Sequence, residues 1–233
     1  MSPSHNGIDL ATVEATLREV GFTPRGAFHP APEDGAPPLD DGRPTATLVL
    51  AGNVGPAMWQ AFALRRRDAP DPLDRWTRRT LEPLAGRLDA RALFPFGGPP
   101  HLPFQRWARR AEPVWPSPIG PLIHADYGLW HAYRGALAFA QRLDLPPSGT
   151  RANPCDACAE KPCLDACPVG AFKSGVYDIS ACAGHIATTA GADCMALSCR
   201  ARRACPVGRG YAYEPEQARF HMAAFLKARR GTA

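Results

Sequence analysis

Lysine is scarce in this chain. Of 27 basic residues only Lys161, Lys173 and Lys227 are lysines, and the rest are arginine. A net charge of +5 over 233 residues is modest, so a nucleic-acid surface finds little support. Arg65–Arg67 form one visible cationic cluster and Arg200, Arg202 and Arg203 another. The first reads as a solvated face. The second falls inside the cysteine-rich stretch, where cations offset the negative charge of grouped thiolates. No apolar run approaches the roughly 18 residues of a membrane span. The opening M-S-P-S-H-N-G-I-D-L lacks a basic stretch followed by an apolar one, so no export signal is expected and the cytoplasm is the expected compartment. Also missing are a full phosphate-binding fingerprint, a Ser–His–Asp or Cys–His nucleophile arrangement, and paired carboxylates for hydrolysis. The first 154 residues contain no cysteine at all.

All eight cysteines lie between 155 and 205. Residues 155–168 read C-D-A-C-A-E-K-P-C-L-D-A-C-P, with thiols at Cys155, Cys158, Cys163 and Cys167; Cys182, Cys194, Cys199 and Cys205 follow, and Pro206 closes the set as Pro168 closes the first run. Bacterial ferredoxins use C-x2-C-x2-C-x3-C-P, in which the fourth cysteine ligates the other cluster. Here the middle gap is four residues, a stretched version of that template. A short loop can wrap three thiolates around one cubane, and the fourth must arrive from elsewhere. The expectation is therefore two [4Fe–4S] clusters that exchange their last ligands: Cys155, Cys158, Cys163 and Cys205 on one, Cys182, Cys194, Cys199 and Cys167 on the other. Disulfides would need an oxidising compartment, and cysteines confined to a quarter of a mid-sized chain do not resemble a secreted staple set. Zinc is the stronger competitor, because four-thiolate sites are common. Zinc ribbons, however, pair two C-x2-C knuckles, and this chain has one.

The rest of the chain reads as α+β. Asp9 can cap a helix carrying Leu10, Val13, Leu17 and Val20 and ending at Gly21. Residues 30–44 form a proline-rich loop, and 45–51 (T-A-T-L-V-L-A) a buried strand. That strand runs through Gly52-Asn53-Val54-Gly55 into a helix with Met58, Trp59 and Phe62 on its apolar side. Asp71-Pro72 starts another helix, with Leu73, Trp76, Leu81 and Leu84 facing inward. A short strand at 92–96, a rigid Gly97–His101 turn and a helix with Phe104, Trp107 and Ala111 come next. The segment 119–141 mixes apolar runs with a polar, aromatic centre. If it is locally extended, His124, Trp130 and Arg134 share one face, opposite His131 and Tyr133; Arg134 would otherwise pair with a carboxylate such as Asp126. Leu145-Pro146-Pro147-Ser148-Gly149 marks the expected boundary, giving domains 1–146 and 147–233. Residues 214–230 read as a closing helix whose Phe220, Met222, Phe225 and Leu226 cover the clusters or the first domain.

Three segments in order, T-A-T-L-V-L-A-G-N-V-G-P-A-M-W (45–59), D-P-L-D (71–74) and L-I-H-A-D-Y-G-L-W-H-A-Y-R-G (122–135), resemble the CblC-type cobalamin-processing proteins. The resemblance implies a nitroreductase-like first domain. The cysteine region is similar to that of epoxyqueuosine reductases and reductive dehalogenases, which join such a domain to a ferredoxin-like module with two [4Fe–4S] clusters. Together they imply an oxidoreductase in which clusters pass electrons to cobalamin, or alternatively FMN, in the first domain, with a redox partner protein as donor. Carried over by position, Arg134 matches an arginine at the thiol-cosubstrate side of the CblC pocket. Trp130 and His124 match neighbouring positions, and His101 falls near a pocket histidine. The acid that epoxyqueuosine reductases use has no counterpart identifiable here, which puts a tRNA substrate in doubt. A ferredoxin-type electron carrier, a cobalamin chaperone and a zinc-stabilised binding module are the other readings.

Overall fold

The structure is a computed structural model describing residues 7–147, 149–173 and 175–230, with residue 230 described by its backbone alone. Residues 1–6, on which the export reading rests, and Ser148 of the expected boundary lie outside the described residues.

Asp9 opens the first helix, its carboxylate accepting the Thr12 N–H at 2.8 Å. Helix α1 (Leu10–Glu19) buries Val13 and Leu17. Gly21, at φ 92°, turns the chain back where a Cβ would meet Ala61 Cβ at 2.3 Å. Strand β1 (Thr23–Phe28) follows, an element the sequence reading missed because Pro24 and Gly26 interrupt it. It lies at a sheet edge, where proline removes no ladder bond. Strand β2 is Thr47–Val54 rather than 45–51, and every residue of it is buried. Helix α2 (Ala57–Ala63) buries Met58, Trp59 and Phe62. Helix α3 (Pro72–Arg87) starts at the expected place, but Asp71 is left-handed at φ 48° and its side chain caps nothing. Pro72, preset for the first turn, makes that start.

Strand β3 is Ala90–Leu93 instead of 92–96, and helix α4 is Phe104–Ala111. Strands β4 (Val114–Pro116) and β5 (Leu122–His124) pair antiparallel. A turn separates β5 from β6 (His131–Phe139), so 122–135 is not one extended run and its side chains do not share faces by parity. The remainder is helical: α5 (Pro162–Asp165), α6 (Ile179–Ile186), α7 (Ala192–Leu197), α8 (Arg200–Ala204) and α9 (Pro215–Arg230). Among the described residues no helix is long and apolar enough to cross a membrane.

The chain divides into two compact units, one ending at Glu112 and resuming at Ala132–Thr150, the other made of Pro113–His131 and the residues from Arg151 onward. The linear division at 146/147 assigned 113–131 to the first domain, whereas that segment packs with the cysteine region. The first unit is built on a four-stranded sheet ordered β1-β2-β6-β3. β2 lies inside it, so its continuous apolar run is buried on both faces. Gly52 of β2 admits the Ala132 carbonyl of β6, which a Cβ would approach to 2.0 Å.

The register of β1 against β2 shifts between Pro24 and Ala27, and Arg25, at that irregularity, is fully buried. Its guanidinium binds Glu112 at 2.5 and 3.3 Å and the Asn53 carbonyl at 2.9 Å. It also lies 4.8 Å from the Tyr133 ring centroid, and the Tyr133 hydroxyl donates to Glu112. Burial, then the Glu112 charge, pushes the Tyr133 phenol far above its usual range. Breaking a buried ion pair from one side leaves an uncompensated charge, which costs about 3–5 kcal/mol, whereas an apolar replacement of both partners costs much less. We expect Glu112→Ala to lose stability on that scale in denaturant unfolding and the Arg25→Met/Glu112→Leu double variant to lose clearly less. Equal losses would mean that the pair's charges are already screened by solvent.

Candidate metal centre

The second unit has little sheet and a core built around its thiols. Ile119, Ile123, Leu129, Cys163, Ala171, Phe172, Ala201 and Cys205 form one buried cluster, with Cys155, Cys167, Cys182 and Cys199 packed against it. All eight cysteines are free thiols. Their arrangement follows from two short helices that pack against each other, α5 and α8. In α5, Cys163 stands in the first turn and Cys167 just past the end. In α8, Cys199 is the residue before the first turn and Cys205 the residue after the last. At about 1.5 Å rise per residue, each helix separates its two thiols by more than the length of a side chain. One helix therefore serves two sites.

Two cavities show the same division of thiols. Cys155, Cys158, Cys163 and Cys205 line one cavity of about 210 Å³, walled by Ile123, Pro154 and Val207. Cys167, Cys182, Cys194 and Cys199 line another, tighter one of about 20 Å³. The start of α5 and the end of α8 thus feed the first, and their opposite ends feed the second.

Local structure holds each thiol in place. The Asn153 side chain accepts the Cys155 N–H at 3.1 Å and donates to Asp156 at 2.9 Å, shaping the loop that carries Cys155 and Cys158. Lys161 takes a left-handed conformation, φ 42°, immediately before Pro162. Ser198, buried at 3 % exposure, adopts φ 76° just ahead of Cys199. A non-glycine residue held there stores on the order of 1–3 kcal/mol, and such strain persists where surrounding structure fixes it. The Ala171 N–H donates to Cys167 Sγ at 3.4 Å, and the Tyr177 hydroxyl donates to Cys182. Tyr177 is itself stacked on Phe172, centroids 4.8 Å apart. From α9, Met222 closes the second cavity beside Phe172 and Ile186.

Burial, reinforced by neighbouring thiols of the same group, raises the thiols of Cys155 and Cys163 above the usual range. Burial does the same to Cys182, Cys199 and Cys205. Grouped buried thiols ionise only when a cationic centre compensates them, and metal coordination does so. Among the described residues no three His, Cys, Asp or Glu side chains are arranged to hold a single metal ion.

The other expected site residues are distributed differently. His101 is exposed in the first unit. Arg134, also in the first unit, pairs with Asp74, not Asp126, and lies 5.0 Å from the Phe96 ring. Asp126 instead pairs with Arg151. His124 belongs to the second unit, is 5 % exposed and stacks on Tyr127 at 4.1 Å. Its Nδ1 accepts the backbone N–H groups of Asp126 and Tyr127 at 3.0 and 3.2 Å. Trp130, buried in the same unit, lies under the Arg202 guanidinium at 4.5 Å. Arg202 also covers Tyr213 at 4.4 Å and donates to the Leu129 carbonyl at 2.5 and 2.9 Å. Arg200 and Arg203 both pair with Asp193, so that cationic cluster is partly neutralised by the protein itself. Sequence reasoning missed Tyr177, which lies between the two cysteine runs and whose hydroxyl no spacing rule flags.

No protein-family model matches the chain, and no curated protein matches it. Solved structures do. An epoxyqueuosine reductase, crystallised in selenomethionine-labelled form, aligns with TM-score 0.51 and 15 % identity over 88 % of this chain and 67 % of its own. The epoxyqueuosine reductase from Bacillus subtilis aligns with TM-score 0.49 and 17 % identity over 87 % of this chain and 66 % of its own. That from Streptococcus thermophilus gives TM-score 0.48 and 15 % identity over 89 % and 69 %. At such identity the first of these likenesses speaks for the fold: a mixed chain of sheet and helices.

Freed of metal and denatured without reductant, the chain should titrate as eight thiols. A shortfall of two or more in freshly prepared protein would restore the disulfide reading.

Proposed function

We propose that the chain is an iron–sulfur oxidoreductase whose two cysteine groups each hold a [4Fe–4S] cluster, the ligands crossing between groups as Cys205 and Cys167. The observation carrying this reading is the first group: four thiols around about 210 Å³ of space. Zinc would draw its sulfurs to about 3.8 Å from one another, given tetrahedral bonds of about 2.3 Å, and would leave no such cavity between them. The second group encloses only about 20 Å³, so Met222 and its neighbours must give way for a group of equal size. When bound, such clusters supply one-electron transfer at potentials set by hydrogen bonds to sulfur and by burial. The residues' part is to present thiolates, to donate Ala171 N–H and Tyr177 O–H bonds to Cys167 and Cys182, and to exclude water with Ile123, Phe172 and Met222. Thiols kept for metal favour a reducing compartment, the cytoplasm, and a redox protein as electron donor.

In this reading the terminal acceptor is a corrinoid, or FMN, in a nitroreductase-like first unit, supported by the resemblance at 45–59, 71–74 and 122–135. His124, Trp130 and Arg134 are each held by neighbours in their own unit. The same fact favours a second reading, a ferredoxin-type electron carrier without a substrate of its own.

Anaerobically purified protein should contain about eight iron and eight sulfide per chain, as two such clusters require. Cys155→Ser and Cys205→Ser should abolish the same half of the electron paramagnetic resonance signal of the reduced protein, and Cys199→Ser the other half. Zinc without sulfide, or Cys205→Ser grouping with Cys199→Ser, would defeat the assignment. Titration with cobalamin and with FMN separates the two readings: a spectral change with either supports the reductase, and none supports the carrier.

A further inference from the structure

We infer, resting on the reading of the second thiol group as a [4Fe–4S] site, that Tyr177 sets the reduction potential of that cluster. Its hydroxyl holds the potential above the value that the thiolates and their backbone donors alone would give.

Chain order brings the phenol to the sulfur. Past Cys167 the chain turns, and the Ala171 carbonyl accepts the Asp178 N–H at 2.8 Å. Asp178 then caps α6, its carboxylate accepting the Ala181 N–H at 2.8 Å and its carbonyl the Cys182 N–H at 3.2 Å. Tyr177 immediately precedes that cap, so the ring and the Cys182 thiol are placed from one residue. Packing orients the ring. It stacks on Phe172 with centroids 4.8 Å apart and planes 20° apart, and Phe225 of α9 lies at 6.4 Å and 22°. The chain is at the surface here, since neighbouring Val176 is 72 % exposed. The hydroxyl nevertheless bonds to Cys182.

Cys182 lines the second cavity with Cys167, Cys194 and Cys199. A thiolate bound to iron has no proton to give, whereas a phenol is ordinarily protonated up to about pH 10, so Tyr177 is the donor. An electron taken from an external one-electron reductant adds one negative charge to the cluster and its thiolates. A hydrogen bond to sulfur strengthens as that charge grows; it favours the reduced state and raises the potential. Water does little to dilute the effect, because Phe172 and Ile186, 6 % and 3 % exposed, wall the same cavity. Backbone donors also serve this group: Ala171 N–H to Cys167, and Ala201 and Arg202 N–H to Cys199. Those come with the fold whatever the side chains are. The Tyr177 hydroxyl is a donor that the sequence selects, since phenylalanine would fill the same stack without it.

The test is a redox titration of the anaerobically purified full chain with dithionite, followed by electron paramagnetic resonance. The signal that Cys199→Ser removes reports the second cluster, and the one that Cys205→Ser removes reports the first. Tyr177→Phe should make the second cluster about tenfold harder to reduce, a downward shift of about 59 mV for one electron, and leave the first in place. 3-Fluorotyrosine in place of Tyr177, a stronger donor of nearly the same shape, should move the same signal upward. It decides the matter should the phenylalanine variant lose that cluster. Unmoved potentials, or equal shifts in both clusters, in protein holding about eight iron and eight sulfide would overturn the role of Tyr177 and leave the cluster reading standing. Protein without iron and sulfide would overturn both.

Discussion

The second unit depends on one constraint: eight thiols gather in two groups around separate cavities, from a chain that can deliver only some of them locally. Two short helices laid side by side meet it. Because α5 and α8 each carry a cysteine near both ends, neither thiol group is complete without both helices. The cost is local. Lys161 and Ser198, the residues that launch these helices, sit at positive φ, so the backbone is bent to bring Cys163 and Cys199 to their stations. Apolar neighbours do the rest, with Cys163 and Cys205 counted among the core residues themselves. The thiol groups and the hydrophobic core of this unit are therefore one construction.

The first unit solves a different problem with the same economy of parts. Its irregular edge strand turns Arg25 inward, and the fold answers with Glu112, Asn53 and Tyr133. Such a network specifies register, since a slip of β1 by one residue would move the guanidinium away from every partner. It also explains why an arginine-rich chain tolerates arginine in its core: the guanidinium's donors each find an acceptor. The Arg65–Arg67 cluster is the contrast, placed at exposed positions where water can solvate the guanidinium groups.

How much of this was legible beforehand depended on whether the signal was local. The expected cysteine grouping rested on thiol spacing and terminal prolines, local signals of which thiols one loop can bring together, and the two cavity linings divide the thiols in the same way. The Asp9 cap and the inward faces of α2 and α3 were legible for the same reason: periodicity and capping act within one helix. The Asp71 start was placed correctly on a partly wrong ground, since Pro72 and not the carboxylate makes it. What failed was long-range. Strand β1 carries Pro24 and Gly26, local signals against a strand, and is held by pairing with β2 and by the buried Arg25. The partner of Arg134 proved to be Asp74, sixty positions away in sequence, and no local rule selects it over Asp126.

The segment 122–131 shows how residues that a motif singles out also carry structural work. Its histidine, glycine and tryptophan looked like the lining of a cofactor pocket. In the fold, Gly128 sits at φ 56°, and a Cβ there would meet the Val207 carbonyl at 2.0 Å. Reciprocally, a Cβ on Gly208 would meet the Tyr127 carbonyl at 2.2 Å. Two glycines thus let two backbones touch, three residues beyond Cys205 in one case and between His124 and Trp130 in the other. Arg202 then fastens the contact through the Leu129 carbonyl and the Trp130 face. Ile123 from the same segment walls the first thiol cavity. Each residue type the motif prescribes has a mechanical reason here: glycine for close approach, tryptophan for a face that arginine can cover, and histidine to accept the turn's N–H groups. Support of the cysteine site therefore accounts for His124, Gly128 and Trp130 without assigning them a ligand.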